Sequence, residues 1–347
     1  MAVTIREVAR AAGVSPAAAS KALHGGDARV RVGSARIAEI RRVAKELNYY
    51  RNAHAGLLRG EATRTIGVLF EGFSNIAGGP LYYMHLLDGI ASELFARHYR
   101  LTLLPEVDHE DLIGSLADGR LDGVVWCKLA DHEVRALTAD CPIPIVAMNA
   151  DPSTLPAGIP GVVCDNAGGV ELAVGHLWDL GHRRIVFLHE SEESEAPDLI
   201  VRRAAFVDAM TRRGVRAEIA AWSWDLTEFR AWWEDESPER ATAMIAWSER
   251  CAGALLKRAS ECGLSLPQEL SVIGFDSTAY CDTLSPRLTA IHQPIAEMAR
   301  AATRRLLSLL EPAFDEGSIP SDFSRPFPCS LHLRDSTARP SQSRASL

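Results

Sequence analysis

Apolar residues recur at two different periods along this chain, and the change comes near residue 65. In the first stretch, Ile5, Val8, Ala9 and Ala12 fall on one helical face. Thr4, with Glu7 three residues on, predicts a capping box for that helix. Gly13 permits a sharp turn after it. Ser15 then caps a second helix whose first residue is Pro16, where a missing N–H costs nothing. A third helix, capped by Ser34, carries Ile37, Ile40, Val43, Ala44 and Leu47 at helical spacing. Two short helices joined by a Gly-containing turn read in two ways. One is an ordinary αα-hairpin; the other is a helix-turn-helix whose second helix enters the DNA major groove. The next stretch, residues 49–61, is too short to hold a helix alone. It reads either as a linker or as a segment ordered by DNA and a second subunit, with Leu58 as an apolar wedge for a minor-groove step.

From Thr65 short apolar strands alternate with helical stretches. Strands are expected at 66–70, 101–104, 123–126, 143–148, 162–164, 185–188, 244–247 and 272–275. Helices are expected near 82–98, 110–117, 133–139, 168–180, 199–213, 251–262 and 295–310. This rhythm predicts an α/β fold of doubly wound parallel sheets in two lobes, preceded by the small all-α headpiece. A ligand would bind in the cleft outside the strand C-terminal ends. The tail after Leu333 is rich in Ser, Arg and Pro and reads as disordered.

Charge sharpens the first choice. The whole chain has 37 Lys and Arg against 45 Asp and Glu, a net of −8. Residues 1–60 hold 11 and 4 of these, a net of +7, which leaves the remainder at −15. A basic module on an acidic body is the electrostatic footprint of a nucleic-acid reader. No apolar run approaches the roughly 18 residues of a membrane helix. Arg6, Glu7 and Arg10 interrupt any signal-peptide pattern, so the expected location is the cytoplasm. The seven cysteines include no CxxC pair. They point to reduced buried thiols rather than zinc or a disulfide framework. No metal, cofactor or catalytic group is expected.

Three blocks of sequence resemble the lactose-repressor (LacI/GalR) family from Thr4 to about Leu333. The first is Thr4 to Ser15. The second is Asp165-Asn166-Ala167-Gly168-Gly169 with His176-Leu177 and Leu180 to Ile185. The third is Leu266-Pro267, Ser271 to Asp276, Leu284-Ser285-Pro286, Leu288-Thr289 and Gln293-Pro294. The resemblance implies a transcriptional repressor that binds a palindromic operator as a homodimer. It implies a helix-turn-helix headpiece at 1–48, a hinge at 49–61 and a periplasmic-binding-protein-like effector domain at 62–335. Within that domain the N-lobe would take about 62–161 and 293–322, the C-lobe about 162–292 and 323–335, leaving 336–347 as a tail. No leucine heptads follow the last helix, which favours a dimer over a tetramer.

Carried over by position, the DNA contacts fall on Thr4, Ser15, Pro16, Ala17, Ser20, Lys21, Arg29, Asn52, Ala53 and Leu58. Pro16 and Ala17 offer a thymine methyl only apolar contact. The effector contacts fall on Ser74, Asn149, Arg202, Trp224, Ser248, Glu249 and Asp276, and the implied effector is a sugar or sugar derivative. Ser248-Glu249 stand where the family has Asn-Asp, so the hydroxyl spacing read there differs. Asp165 is expected at a strand end facing the cleft.

Two rivals remain in view. For an enzyme on an α/β scaffold, no G-x-S-x-G elbow, phosphate loop or G-x-G-x-x-G appears, and His182 beside Arg183 reads as a structural cation at a helix end. For a sugar-transport protein, the basic headpiece is unexplained. The charge division generates a prediction. Binding to the palindromic duplex should weaken with salt by about 0.9 in log–log slope per neutralised phosphate, and deletion of residues 1–60 should abolish it. A gel-shift titration in several salt concentrations checks both, and binding that survives the deletion contradicts the headpiece reading.

Overall fold

Local chemistry sets the first helix, α1 (Ile5–Ala11). The Thr4 backbone N–H donates to Glu7 Oε2 at 2.7 Å, and the Thr4 hydroxyl accepts from the Glu7 N–H at 3.4 Å, completing the capping box. The turn after it uses Gly13 at a φ of +62°, a conformation costly for other residues. Ser15 Oγ then accepts the Ala18 N–H at 3.2 Å at the start of α2 (Pro16–His24). Arg36, on α3 (Ser34–Glu46), donates to the Gly13 carbonyl at 2.9 Å and pins the turn. Gly33, not Ser34, occupies the N-cap of α3, and no side chain caps it. Val8, Ala9, Ala12, Ala19, Ala22, Ile40, Val43 and Ala44 form the core, and its alanines let the three helices approach closely.

The computed structural model describes residues 3–24, 31–50, 62–70, 81–104, 112–127, 140–190, 196–222, 240–311 and 325–341. The chain divides into two units, Met1–Thr63 and Arg64–Leu347.

The second unit contains two sheets. The first takes β1 (Thr65–Phe70), β2 (Arg100–Leu104), β3 (Gly123–Cys127), β4 (Ile145–Met148) and β5 (Gly161–Val162) in the order β2-β1-β3-β4-β5, all parallel. α4 (Leu81–Phe95) and α10 (Ile295–Leu310) cover one face with Leu86, Ile90, Leu94, Met298, Ala302 and Leu306. Leu116 of α5 (Leu112–Leu116), Leu121 and Trp126 fill the other face. The second sheet takes β6 (Ile185–Glu190), β7 (Glu218–Trp222), β8 (Ala243–Ala246), β9 (Ser271–Asp276), β10 (Thr289–His292) and β11 (Ser330–His332) in the order β11-β10-β9-β8-β6-β7. Only β11 in that sheet runs antiparallel. Its core includes Val174 and Leu177 of α6 (Asn166–Asp179), Phe206 of α7 (Pro197–Arg212) and Leu255 of α8 (Glu249–Glu261).

The chain passes between the lobes at 163–165, at 293–294 and at 325–329. The first and third passages are stitched together: Asp165 N–H donates to the Phe327 carbonyl at 2.7 Å and Phe327 N–H to the Val163 carbonyl at 2.9 Å.

Several elements depart from the sequence pattern. β7, β10 and β11 were not expected, because runs of three to five residues with small or polar members carry little periodicity of their own. The tail expected to be disordered is ordered as far as Ser341. The Ser336 hydroxyl donates to the Val272 carbonyl at 2.6 Å and accepts the Thr289 N–H at 2.8 Å, and the Ala338 N–H donates to Ser271 Oγ at 3.0 Å. Polar composition predicted a solvated tail, but its hydroxyls satisfy the backbone at the sheet's lower end. Arg29, the hinge segment 51–61 and the helix expected at 133–139 lie outside the described residues.

Gly89 generates a prediction. It sits where α4 meets α10, and a Cβ there would lie 2.5 Å from the Ala296 carbonyl and 2.7 Å from Ala299 Cβ. Helix propensity alone favours Ala over Gly by roughly 1 kcal/mol. Overpacking costs about 1–3 kcal/mol and wins at this contact with backbone. Gly89→Ala should therefore lower stability in a urea titration; a stabilised variant would show that the helices can separate freely.

Candidate DNA-reading and effector sites

Ser15, Pro16 and Ala17 are exposed, whereas Ser20 and Lys21 are half-buried. Thr4 is exposed but already engaged, its hydroxyl donating to Glu7 Oε2 at 2.9 Å. Not every cation of α3 is available to phosphate. Arg42 bonds Glu39 at 2.7 Å and Glu46, and Arg36 holds the Gly13 carbonyl. Asn52, Ala53 and Leu58 lie outside the described residues.

In the second unit, polar side chains gather at the C-terminal ends of the parallel strands. Arg202, one turn into α7, is the centre. Its side chain is 2% exposed. Nε donates to Asn166 Oδ1 at 2.8 Å, Nη1 donates to the Trp247 carbonyl just past β8, and Nη2 lies 3.4 Å from Asp198 Oδ2. The guanidinium also covers the Phe275 ring, 3.9 Å from its centroid. Asp276, which ends β9 at a φ of +87°, accepts from Gln293 Nε2. Burial pushes the Asp276 carboxyl up to about 7, against the opposing pull of Arg202. Glu190, at the end of β6, accepts from the Trp247 indole N–H.

The other lobe supplies Asn149, at a φ of +58°, whose amide donates to the Tyr82 hydroxyl. Burial raises the Tyr82 phenol well above its ordinary range; the Asn149 bond opposes this, while Asp198 and Asp276 of the facing lobe add to it. Side chains from both lobes thus sense one another electrostatically across the cleft. A small polar molecule here would meet an amide, a phenol and a carboxyl able to donate or accept, beside a guanidinium whose nitrogens are already held by Asn166, Asp198 and the Trp247 carbonyl.

Several expected ligands are occupied elsewhere. Glu249 is buried with both oxygens used: Oε2 accepts the Thr278 N–H at 2.7 Å and the Cys281 thiol at 3.2 Å, and Oε1 accepts the Thr278 hydroxyl. It clamps the loop after β9 instead of reading ligand hydroxyls. Ser248 caps α8 by accepting the Cys251 N–H at 3.1 Å, and Asp165 caps α6 by accepting the Gly168 N–H at 2.8 Å. The His182 ring bonds Thr242 Oγ1 and the Ala338 carbonyl, both at 2.8 Å, and burial lowers its basicity, so it is a neutral structural group and not the expected cation. Ser74 and Trp224 lie outside the described residues. Asn166, Glu190, Gln293 and Tyr82 were missed. Asn166 and Gln293 stood inside recognised sequence blocks, and Glu190 follows an apolar strand, which is the signal that would have found it.

A helix-turn-helix headpiece joined to a two-lobed α/β unit with a polar cluster at its strand ends defines a ligand-responsive DNA-binding regulator. Residues 4–52 match the model of bacterial regulatory proteins of the lacI family, and residues 174–337 match that of the periplasmic binding protein-like domain. The HTH-type transcriptional repressor PurR of Vibrio vulnificus (strain CMCP6) is 30% identical over 327 residues, covering 89% of this chain and 92% of its own. The chain belongs to the lacI family of DNA-binding transcriptional repressors. In fold, it superimposes on the lac repressor dimer bound to operator and the anti-inducer ONPF with a TM-score of 0.78 at 22% identity, covering 97% of this chain and 100% of that one. The transcriptional regulator CelR–cellobiose complex gives 0.64 at 23% identity, covering 96% and 99%. Among the described residues, no helix is long and apolar enough to cross a membrane, and no group of three His, Cys, Asp or Glu is placed to hold a metal.

The Asp276 carboxyl generates a prediction with a definite sign. Its folded value of about 7 lies above the ordinary 3.8, so the native state holds this proton more tightly than the unfolded chain. That contribution to stability is fully present below the ordinary value and is lost as pH rises towards the folded one. Asp276→Asn keeps a neutral group at every pH. Going from about pH 5 to about pH 8, the melting temperature of the variant should therefore rise relative to wild type. A difference independent of pH would show that Asp276 titrates normally.

Proposed function

We propose that this repressor binds a palindromic operator as a homodimer in the cytoplasm, and that a sugar or sugar derivative held between its lobes switches operator affinity. One observation carries the effector reading. Arg202 and Asp276 act on one another electrostatically from separate elements at the strand ends, one a donor fork held by protein partners and the other an acceptor, and adjacent hydroxyls suit such a pair by exchanging with those partners. Asn149 and Tyr82 face them from the other lobe, so a bound molecule would touch both lobes and favour one orientation by its differential affinity. The CelR–cellobiose complex shares this fold, which agrees with a saccharide ligand. On the DNA side, the proposed contacts are Thr4, Ser15 and, from α2, Pro16, Ala17, Ser20 and Lys21. Arg29, Asn52, Ala53 and Leu58, outside the described residues, complete the proposed set.

The test is a thermal-shift screen against pentoses, hexoses, disaccharides and purine bases. A saccharide is expected to raise the melting temperature. Asp276→Asn should then weaken its binding by roughly ten- to a hundredfold, the loss of one charged hydrogen bond, while the variant keeps its fold. A purine as the stabilising compound, or unchanged saccharide affinity in the variant, overturns this assignment.

A further inference from the structure

One buried amide ties the Asp276 carboxyl into the connections between the lobes. Gln293 opens the second passage, directly after β10, and is 2% exposed. The parallel pairing of β10 with β9 sets His292 opposite Asp276, which brings the next residue level with the end of β9. There Gln293 Nε2 donates to Asp276 Oδ1. At its other end Gln293 Oε1 accepts from the Cys164 thiol at 2.9 Å, and Cys164 lies buried on the first passage. That passage is in turn bonded to the third through Asp165 and Phe327. The two ends of one amide therefore hold groups from a strand end and from a different connection between the lobes.

We infer that Gln293 is the positioning residue of the switch: it holds the Asp276 carboxyl in place and, through Cys164, couples a change at that carboxyl to the first and second passages. This rests on the reading of Asp276 as an effector contact. The amide can face only one way. Turned over, it would set its carbonyl against the ionised carboxyl, which has no proton to give, and would leave the Cys164 thiol without this acceptor. The order Cys164, Gln293, Asp276 is therefore a directed chain, each member donating to the next.

Burial is what makes the chain stiff. A polar group left unpaired away from water is costly, so a movement of the carboxyl draws the amide with it, and the amide draws the thiol. The backbone carries the movement further. The Gln293 carbonyl accepts the Ile295 N–H at 2.8 Å, and Pro294 is the N-cap of α10, which covers the first sheet. A displacement at a strand end of one lobe thus reaches the start of a helix in the other. The remaining groups that act on Asp276 lie elsewhere. Arg202 and Asp198 belong to α7 and Glu249 to α8, within the second lobe, whereas Gln293 belongs to a passage. Arg202 and Gln293 favour the ionised carboxyl, against burial and the two neighbouring carboxylates.

The experiment follows the Asp276 carboxyl by carbon NMR in the full chain, its signal identified by its loss in Asp276→Asn. The wild-type midpoint is expected at about 7. Gln293→Leu removes a bond that favours the ionised form, so the midpoint should rise by about half a unit to one unit, the worth of one hydrogen bond. Cys164 reaches Asp276 through Gln293. Cys164→Ala should therefore raise the midpoint as well, but not further in the Gln293→Leu background. Cys164→Ser keeps a donor and should return the wild-type value. At a fixed pH, amide exchange at 163–166 should quicken by up to roughly tenfold in Gln293→Leu and Cys164→Ala and stay at the wild-type rate in Cys164→Ser. A glutamine that merely filled space would move no midpoint. Should Gln293→Leu fail to fold, the two Cys164 variants carry the test. Equal midpoints in all the proteins, a Cys164→Ala shift that persists in full without the amide, or no rescue by serine would each overturn the inference. The test requires neither DNA nor effector, so its failure leaves the repressor and effector readings intact.

Discussion

The effector lobe depends on keeping one guanidinium satisfied inside protein. Arg202 is almost fully removed from solvent, and an unpaired charge there would cost several kcal/mol. Its partners come from four places: Asn166 at the start of α6, Asp198 one turn earlier on α7, the Trp247 carbonyl past β8 and the Phe275 ring on β9. Meeting the needs of one planar fork fixes how two helices and two strand ends converge. The same charge partly offsets the burial of Asp276.

Around that centre, much of the remaining polar chemistry holds loops in place. Glu249 spends both oxygens on the segment after β9, and Ser248 and Asp165 each close a helix start. Ser336 does for the base of the sheet what these do for its top. Rigid surroundings matter for the proposed switch, in which the lobes reorient on effector binding. Deformation is then confined to three short passages, where few residues must change conformation. The headpiece follows a different economy. Its core of small side chains is modest, and its excess of positive charge is outweighed by the acidic remainder, which keeps non-specific attraction to DNA local to the module that reads it.

The sequence by itself determined what is local or periodic. The Thr4–Glu7 capping box, the Gly13 turn and the Ser15-Pro16 helix start were legible because each involves residues within four positions. The central strands were legible because strands buried on both faces are continuously apolar, and the alternation with helices required parallel sheets. The family motifs pointed to Arg202 and Asp276. Only the tertiary structure decided which polar residues are free to meet a ligand. Ser248 and Glu249 read alike as pocket residues, yet one is a helix cap and the other a buried clamp, since their partners Cys251, Thr278 and Cys281 are fixed by the fold. The tail, too, was read from composition as solvated, while the Ser336 hydroxyl finds an amide and a carbonyl, and the Ala338 N–H a hydroxyl, some fifty to seventy positions away in sequence. The meeting of Cys164 with Gln293 has the same origin. Pairing across more than a hundred residues leaves no periodic trace, because it depends on where separate passages of the chain cross.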